Sequence, residues 1–179
     1  SRVQSRNYLF IDLVLDKKVR PGDIEIAFSG AGEGDQRRAS YTYRLLARDP
    51  GSRERQGFSS KDAIYQVMPD RFANGDPSND SVEGMPDKLD RKGGLGRHGG
   101  DIKGMIDRLG YIKDMGFTQL WPTPLVENNS RAFSYHGYAA TDLYKIDPRY
   151  GSNDDFRRLS KEAGKQGIGI IQDVVLSHI

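Results

Sequence analysis

The sequence lacks the residues on which several classes of protein depend. It contains no cysteine, which excludes disulfide scaffolds, thiolate metal sites and cysteine nucleophiles, although it leaves the compartment open. It has no apolar run near the roughly 20 residues that a membrane-spanning helix needs, so we expect no membrane-spanning segment. The chain also has only one tryptophan, so most of its aromatic bulk comes from 9 tyrosines and 7 phenylalanines.

An excess of charge of one sign is also missing. The 27 Lys and Arg residues nearly balance the 25 Asp and Glu residues, which leaves a net charge of +2. Both signs are interspersed, so the sequence carries no electrostatic pattern of a nucleic-acid-binding protein and we expect no nucleic-acid partner. The length of 179 residues corresponds to one domain of about 150 residues and a fraction of a second.

The first part of the chain has the periodicity of antiparallel strands. Apolar and polar residues alternate over residues 8–15, 23–28 and 41–48, as is typical of half-buried strands. Three strands do not close a sandwich, so residues 1–58 are interpreted as part of a β-sandwich domain. A polar segment rich in Gly, Ser and Arg, residues 49–60, suits a domain boundary.

After residue 60 strands and helices alternate. The pattern predicts strands at residues 63–68, 117–121 and 168–176, and helices at residues 102–115 and from Ser152 to near Gly167. Strands that alternate with helices form parallel sheets. Polar, glycine-rich insertions follow the strands, where barrel enzymes build their active sites. Because a (β/α)₈ barrel takes about 250 residues, residues 59–179 are predicted to form its first three β/α units.

Oxygen-bearing side chains crowd one of these insertions. They are Asp70, Asn74, Asp76, Asn79 and Asp80, and Gly99, Gly100 and Asp101 follow later. Calcium takes six to eight oxygen ligands of these kinds. An EF-hand is excluded, because the twelfth position counted from Asp70 is Ser81 and not Glu. The alternative is that these residues only form turns, which Asn, Asp, Gly and Pro favour.

A second polar group follows the second and third predicted strands. His136 and Tyr138 lie in the insertion after residue 121, and Asp173 and His178 lie at the end of the last strand. Sugar sites combine an aromatic ring with a few polar groups that bond hydroxyls. A carboxylate in a buried strand is costly unless it is paired. Each histidine alone could equally be an ordinary loop or core residue.

Four segments, taken together in this order and spacing, resemble the α-amylase family of glycoside hydrolases. They are IYQVMPDRFANGDPSND, GGDIKG, YHGYAATDLYKIDPRYGS and DVVLSH. Within that family the sequence is most similar to the neopullulanase and cyclomaltodextrinase branch. The match covers about residues 62–179, and residues 1–58 more weakly resemble the end of the β-sandwich domain that precedes the barrel in that branch.

The resemblance implies an enzyme with a (β/α)₈ barrel that acts on α-glucan oligo- or polysaccharides and binds calcium. The family's loop calcium site falls on Asn74, Asp76, Asn79, Asp80, the Gly99 carbonyl and Asp101. Ser177 stands where the family usually has an asparagine that binds a second calcium, which argues against a second site.

The resemblance also assigns sugar-binding roles. Tyr138 falls on the aromatic residue that stacks under the sugar, and His136 lies beside it. Asp173 falls on a residue that organises the site through hydrogen bonds, and His178 on one that bonds the sugar's primary hydroxyl. Ala139 stands where Trp is frequent, so we expect a narrower stacking surface.

The family hydrolyses glucans with retention, through a nucleophilic carboxylate and an acid roughly 5–5.5 Å apart. By resemblance, these two residues and a stabilising carboxylate follow Ile179, so this chain alone is expected to be inactive. Two alternatives stay open: a glucanotransferase of the same family, and a non-catalytic module that binds calcium or glycans. Linkage preference, compartment and oligomeric state also stay open, including a homodimer formed through the N-terminal domain.

Overall fold

The computed structural model describes residues 10–16, 18–30, 38–52, 54–55 and 57–177. The chain divides into two compact units, Ser1–Gln56 and Gly57–Ile179, each of which is described by itself. None of the helices in these ranges is long and apolar enough to cross a membrane.

The first unit contains one antiparallel pair of strands, β1 (Gly22–Ser29) and β2 (Arg38–Leu45). In their register Ile24 faces Tyr43 and Ile26 faces Tyr41. Such cross-strand pairs of β-branched and aromatic residues stabilise a sheet. The predicted strands at residues 23–28 and 41–48 are therefore confirmed, although β2 ends at Leu45.

The strand predicted at residues 8–15 is wrong where it can be examined. Residues 8 and 9 lie outside the described ranges, and residues 10–15 form no strand. Val14 is 96% exposed. Alternation produces a strand only where a neighbouring strand pairs with its backbone and an apolar surface covers one face. Residues 10–15 have no such neighbouring strand within the described part of the unit.

The second unit is built on a three-stranded parallel sheet. Its regular elements are β3 (Ile64–Val67), α1 (Ile102–Asp107), α2 (Leu109–Asp114), β4 (Gln119–Pro122), β5 (Val126–Glu127), β6 (Asp142–Ile146), α3 (Asn153–Lys165) and β7 (Gly169–Ile170). The order in the sheet is β3, β4, β7, and both pairings are parallel. The predicted parallel sheet is thus confirmed. β5 and β6 form a separate antiparallel pair inside the insertion after β4, for which the sequence pattern predicts no strand.

The core of this unit lies between the sheet and the helices. The strands contribute Val67 and Leu120, and the helices contribute Met105, Leu109, Ile112, Leu159 and Ala163. Burying a side chain of the size of leucine stabilises a fold by about 1.5–3 kcal/mol. The helices therefore pack on the sheet through the apolar stripes that the sequence shows.

The single helix predicted at residues 102–115 is wrong in one respect, because it is broken at Arg108. The Arg108 N–H bonds the Met105 carbonyl at 3.1 Å, a tightened turn with a three-residue step. Leu109 and Ile112 stay fully buried beyond the break, so the apolar period continues and gives no sign of it. Gly116 ends the second helix with φ of +87°, as its sequence position predicts.

The last predicted strand, residues 168–176, is too long. Only Gly169 and Ile170 form β7, which pairs with β4. β4 ends at Pro122, and proline has no N–H to extend a ladder. Among the described strands β7 has no second neighbour, and Leu176 is 81% exposed. An apolar run thus becomes strand only as far as its partner offers backbone groups that can pair with it.

The start of α3 offers a direct test of local stability. Ser152 Oγ accepts a bond from the Asp155 N–H at 3.1 Å, and the Asp155 carboxylate accepts one from the Ser152 N–H at 2.9 Å. This reciprocal arrangement is a capping box. Ser152→Ala should lower the free energy of unfolding by about 1 kcal/mol, measured by urea unfolding with Trp121 fluorescence as the signal.

Ser160→Ala provides the matched control, because Ser160 is exposed in the middle of the same helix. Alanine has the higher helix propensity, so this variant should be as stable as the wild type or slightly more stable. Equal losses in the two variants would contradict the capping role of Ser152.

Candidate active site

The candidate site lies at the carboxyl ends of β4 and β7. These ends of neighbouring parallel strands meet at one edge of the sheet, where barrel enzymes bind their ligands. Trp121 is in β4, and Asp173 follows β7 by three residues. The Trp121 indole Nε1–H donates to Asp173 Oδ2 at 3.1 Å.

Tyr138 joins this pair from the insertion between β5 and β6. Its phenolic O–H donates to the same Asp173 oxygen at 2.8 Å. Burial and the bond to Asp173 raise the pKa of the Tyr138 hydroxyl, so the hydroxyl stays protonated and remains a donor at neutral pH. Because 36% of Tyr138 is exposed, its ring is accessible to a ligand.

His136 supports the Tyr138 ring. The two rings stack with centroids 5.9 Å apart and planes 25° apart, and the Tyr138 backbone N–H lies 2.9 Å from His136 Nδ1. That nitrogen accepts the bond only when the imidazole is neutral. Partial burial lowers the pKa of His136, which favours the neutral form.

The backbone holds these rings in an unusual turn, which we call the aromatic turn (residues 133–138). Phe133 and Gly137 flank the short helical segment Ser134–His136, and both have left-handed backbone angles, with φ of +62° and +83°. A side chain at Gly137 would collide with the Pro124 carbonyl oxygen. Phe133 is in a region that non-glycine residues rarely adopt, and such strain is found mainly at functional sites.

Three of the four predicted sugar-binding residues therefore come together: His136, Tyr138 and Asp173. His178 lies outside the described residues. The sequence pattern places Trp121 in a predicted strand but does not mark it as a residue of the site. The signal available was an indole N–H donor next to Pro122 at the end of a buried strand, since a buried indole usually finds an acceptor.

The predicted calcium residues also lie together. The Asp101 carboxylate caps α1 by accepting from the Gly104 N–H at 2.6 Å, and it accepts from the Gly75 and Asp76 N–H groups at 3.0 and 2.8 Å. Asn79 Nδ2 lies 3.4 Å from the same carboxylate. One fully buried carboxylate thus holds the loop of residues 74–80 against the start of α1.

The remaining residues of the set close the other side of this loop. Asn74 Nδ2 donates to Asp80 Oδ1 at 2.6 Å. Gly99, with φ of +84°, lies so close that a Cβ there would collide with the Asp80 carboxylate. Asp76 accepts bonds from the Ser78 hydroxyl and N–H, which lower the pKa of the Asp76 carboxyl. We call residues 74–80 and 99–101 the oxygen loop.

The donor set of the oxygen loop fits calcium in kind. The side-chain oxygens Asn74 Oδ1 and Asn79 Oδ1 are buried and have no hydrogen-bond partner, a state that costs free energy unless a donor or a cation satisfies them. Within the described ranges no group of three His, Asp or Glu side chains is placed to hold a metal ion without other ligands, so a cation here would depend on the amide and carbonyl oxygens as well. Mixed amide, carbonyl and carboxylate oxygens are typical of calcium.

Asp70, which the sequence grouped with these oxygens, has other partners. Its carboxylate forms an ion pair with Arg71 and accepts from the His98 and Gly99 N–H groups at 2.8 and 3.2 Å. It therefore anchors the insertion between β3 and α1.

The state of His136 yields a pH prediction. Since its pKa in the folded chain lies below the ordinary value of 6.5, the neutral form stabilises the fold above about pH 6.5, and that contribution is lost as the pH falls through the folded pKa. Proton NMR should show His136 titrating below pH 6.5, and the Tyr138 amide signal should shift over the same range as its acceptor is lost. The titration curve that is missing from the spectrum of His136→Asn is that of His136. Titration above pH 6.5, or an insensitive Tyr138 amide, would contradict the assigned bond.

Comparison with known sequences gives matches that cover most of the second unit. The family model for the alpha-amylase catalytic domain matches residues 66–179. Neopullulanase 2 of Thermoactinomyces vulgaris is 44% identical over 118 residues, covering 64% of this chain and 19% of that protein. A beta/alpha-amylase of Paenibacillus polymyxa is 42% identical over 120 residues, covering 66% of this chain and 10% of that protein. The chain thus spans about a tenth to a fifth of the length of these relatives.

Solved structures of the same group share this architecture. An Anoxybacillus alpha-amylase matches with a TM-score of 0.56 and 44% identity, covering 63% of this chain and 23% of that one. The cyclomaltodextrin glucanotransferase CldA matches with a TM-score of 0.58 and 38% identity, covering 63% and 25%. The parallel strands β3, β4 and β7 with their helices are therefore the first units of a (β/α)₈ barrel, and the chain belongs to the α-amylase catalytic-domain family.

Proposed function

We propose that the intact protein is a retaining α-glucan hydrolase and that this chain supplies part of its sugar-binding site. The observation that carries the proposal is the convergence of Trp121 and Tyr138 on one oxygen of Asp173 at the carboxyl edge of the sheet. The names of the relatives, which include neopullulanase and cyclomaltodextrinase, support starch, maltooligosaccharides, pullulan or cyclodextrins as substrates.

In this proposal each residue has a definite task. The exposed face of Tyr138 stacks on the apolar face of a glucose ring, and its bond to Asp173 fixes the ring orientation. Asp173 and His178 bond the sugar hydroxyls, and His136 holds Tyr138 from behind. Removing either His136 or Asp173 should therefore leave the Tyr138 ring less well oriented.

Asp173 serves binding and not nucleophilic attack. Its Oδ2 already accepts bonds from Trp121 and Tyr138, so this oxygen is engaged in holding the two aromatic rings. The nucleophile, acid and stabilising carboxylate of the retaining mechanism are assigned to later strands of the barrel. A transferase of the same family would use the same bound glucan, and product analysis on the intact protein separates the two reactions.

Binding of maltoheptaose to this chain, measured by isothermal titration calorimetry, tests the sugar site. Tyr138→Ala should weaken binding at least tenfold, about 1.4 kcal/mol, because the stacking ring is removed. Tyr144→Ala is the matched control, since Tyr144 is a 92% exposed tyrosine in β6, and its affinity should equal that of the wild type. The chain should release no reducing sugar. Equal affinity in the two variants, or hydrolysis by the chain, would contradict the proposal.

We also propose that the oxygen loop holds one calcium ion. Its ligands would be Asn74, Asp76, Asn79, Asp80, the Gly99 carbonyl and Asp101. The amide oxygens of Asn74 and Asn79 support this assignment, because both are buried without a hydrogen-bond partner and each could coordinate a calcium ion. When bound, calcium supplies positive charge that offsets the three carboxylates and ties residues 74–80 to residues 99–101. Ser177 argues against a second ion.

Calcium binding is tested on the same chain. At about 100 times its Kd, calcium should raise the free energy of unfolding by about 2.7 kcal/mol. Asn79→Ala should weaken calcium binding at least tenfold. It should change the calcium-free stability little, because the lost oxygen had no partner and the lost Nδ2 bond to Asp101 is long, at 3.4 Å. Asn129→Ala, an exposed asparagine in the next insertion, is the control and should bind calcium normally. If calcium leaves the free energy of unfolding of the wild-type chain unchanged, the assignment is wrong.

The first unit is proposed to be part of an N-terminal β-sandwich domain, residues 1–58, ahead of the barrel residues 59–179. The antiparallel pair β1–β2 supports this, with its cross-strand contacts of Ile24 with Tyr43 and Ile26 with Tyr41. Dimerisation through this domain, as implied by the resemblance, belongs to the same proposal.

A further inference from the structure

We propose that Ser134 is a positioning residue that makes the aromatic turn respond to occupancy of the oxygen loop. The inference rests on the proposed calcium site, and it adds a link between that site and the proposed sugar site. The link runs through hydrogen bonds, one ion pair and a short stretch of backbone, and it is buried from Asp70 to Ser134 and exposed at Tyr138.

The first step leads from the oxygen loop to Arg97. The backbone N–H of Gly99, whose carbonyl is a proposed ligand, donates to Asp70 Oδ1 at 3.2 Å. Arg97, two residues earlier, is fully buried, and its Nε lies 3.8 Å from the same oxygen. A shift of the Gly99 backbone on binding an ion would therefore be transmitted to Arg97.

The second step leads from Arg97 to Ser134. Arg97 Nη1 donates to Ser134 Oγ at 3.1 Å, and both residues are fully buried. Asp87 comes from the same insertion, between Asp80 and Gly99. Its Oδ2 accepts from the Ser134 N–H at 2.9 Å and from Ser134 Oγ at 2.8 Å. Asp87 and Arg97, both from the insertion between β3 and α1, thus hold Ser134 of the aromatic turn.

The third step leads from Ser134 to the sugar site. Ser134 begins the short helical turn that ends at His136. His136 in turn holds Tyr138, and Tyr138 bonds Asp173. Trp121 bonds the same carboxylate oxygen, so the indole lies at the far end of the series.

The aromatic turn contains a strained residue, Phe133, whose backbone could relax to a second conformation. Phe133, directly before Ser134, is held at φ of +62°, which costs free energy and persists only while neighbouring bonds impose it. The bonds of Ser134 to Asp87 and Arg97 are the ones next to it. Loss of those bonds would let residue 133 relax and release the rings, which gives the element two arrangements that a ligand can bias.

Trp121 makes this link measurable, because it is the only tryptophan of the chain and its indole bonds Asp173. In the wild type, calcium titration should change Trp121 emission with the midpoint that calorimetry gives for calcium binding. Calcium should also raise the affinity for maltoheptaose about fivefold or more, and maltoheptaose should raise the calcium affinity by the same factor.

Ser134→Ala should still bind calcium, with an affinity within about tenfold of the wild type, but it should lose the Trp121 response and the effect on maltoheptaose. Ser59→Ala is the matched control. Its N–H and Oγ also bond one carboxylate oxygen, Asp62 Oδ2, at 2.7 and 3.3 Å, but it precedes β3 and touches neither loop. This control should respond like the wild type.

If Ser134→Ala fails to fold, Asp87→Asn takes its place, since it keeps the side-chain shape and removes the charge that Ser134 bonds. It should lose most of the Trp121 response while calorimetry still detects calcium. A wild-type chain that binds no calcium overturns both the calcium site and this inference. If the wild type binds calcium without a change in Trp121 emission, the inference is wrong but the calcium site stands. The same holds if a folded Ser134→Ala or Asp87→Asn variant keeps the full change in Trp121 emission.

Discussion

The buried carboxylate of Asp70 is the interaction on which the placement of the candidate site depends. It lies just past the carboxyl end of β3 and, with almost no exposed surface, pairs with Arg71 and holds the His98 and Gly99 N–H groups. A buried charge persists only where partners replace its lost hydration. Here those partners come from both ends of a long insertion, so satisfying one charge closes that insertion over the edge of the sheet.

A second buried ion pair does the same for the next insertion. Asp147 and Arg149 are both fully buried, and they bond at 2.7 Å. Burial alone would raise the pKa of the Asp147 carboxyl, but the bond and charge of Arg149 lower it, so the pair stays ionised. Arg149 also bonds the Asp87 and Asn128 carbonyls at 2.8 and 2.7 Å. The two insertions are therefore fastened to each other by buried bonds.

The sequence allowed prediction of whatever depends on near neighbours along the chain. Ser152 and Gly116 mark helix ends by local chemistry, and the order of strands and helices predicts a parallel sheet. The predicted strand ends group Tyr138 with Asp173, and the resemblance adds their roles in sugar binding. What failed depends on distant partners: the length of β7 is set by where β4 stops, and the bond from Trp121 to Asp173 joins residues 52 positions apart. Periodicity carries no information about such pairings.

Arg97 is a fully buried cation whose set of partners is incomplete. Its Nε and Nη2 are buried without a hydrogen-bond partner, so Ser134, the more distant Asp70 and the face of the Tyr150 ring at 4.7 Å determine its position. A buried arginine selected for stability alone would have its donors satisfied. Because Arg97 has few hydrogen bonds, few are broken when its guanidinium group is displaced. Arg97 lies between Asp70, which holds the Gly99 N–H of the oxygen loop, and Ser134 of the aromatic turn, so a displacement of Gly99 can reach Ser134 through this one side chain.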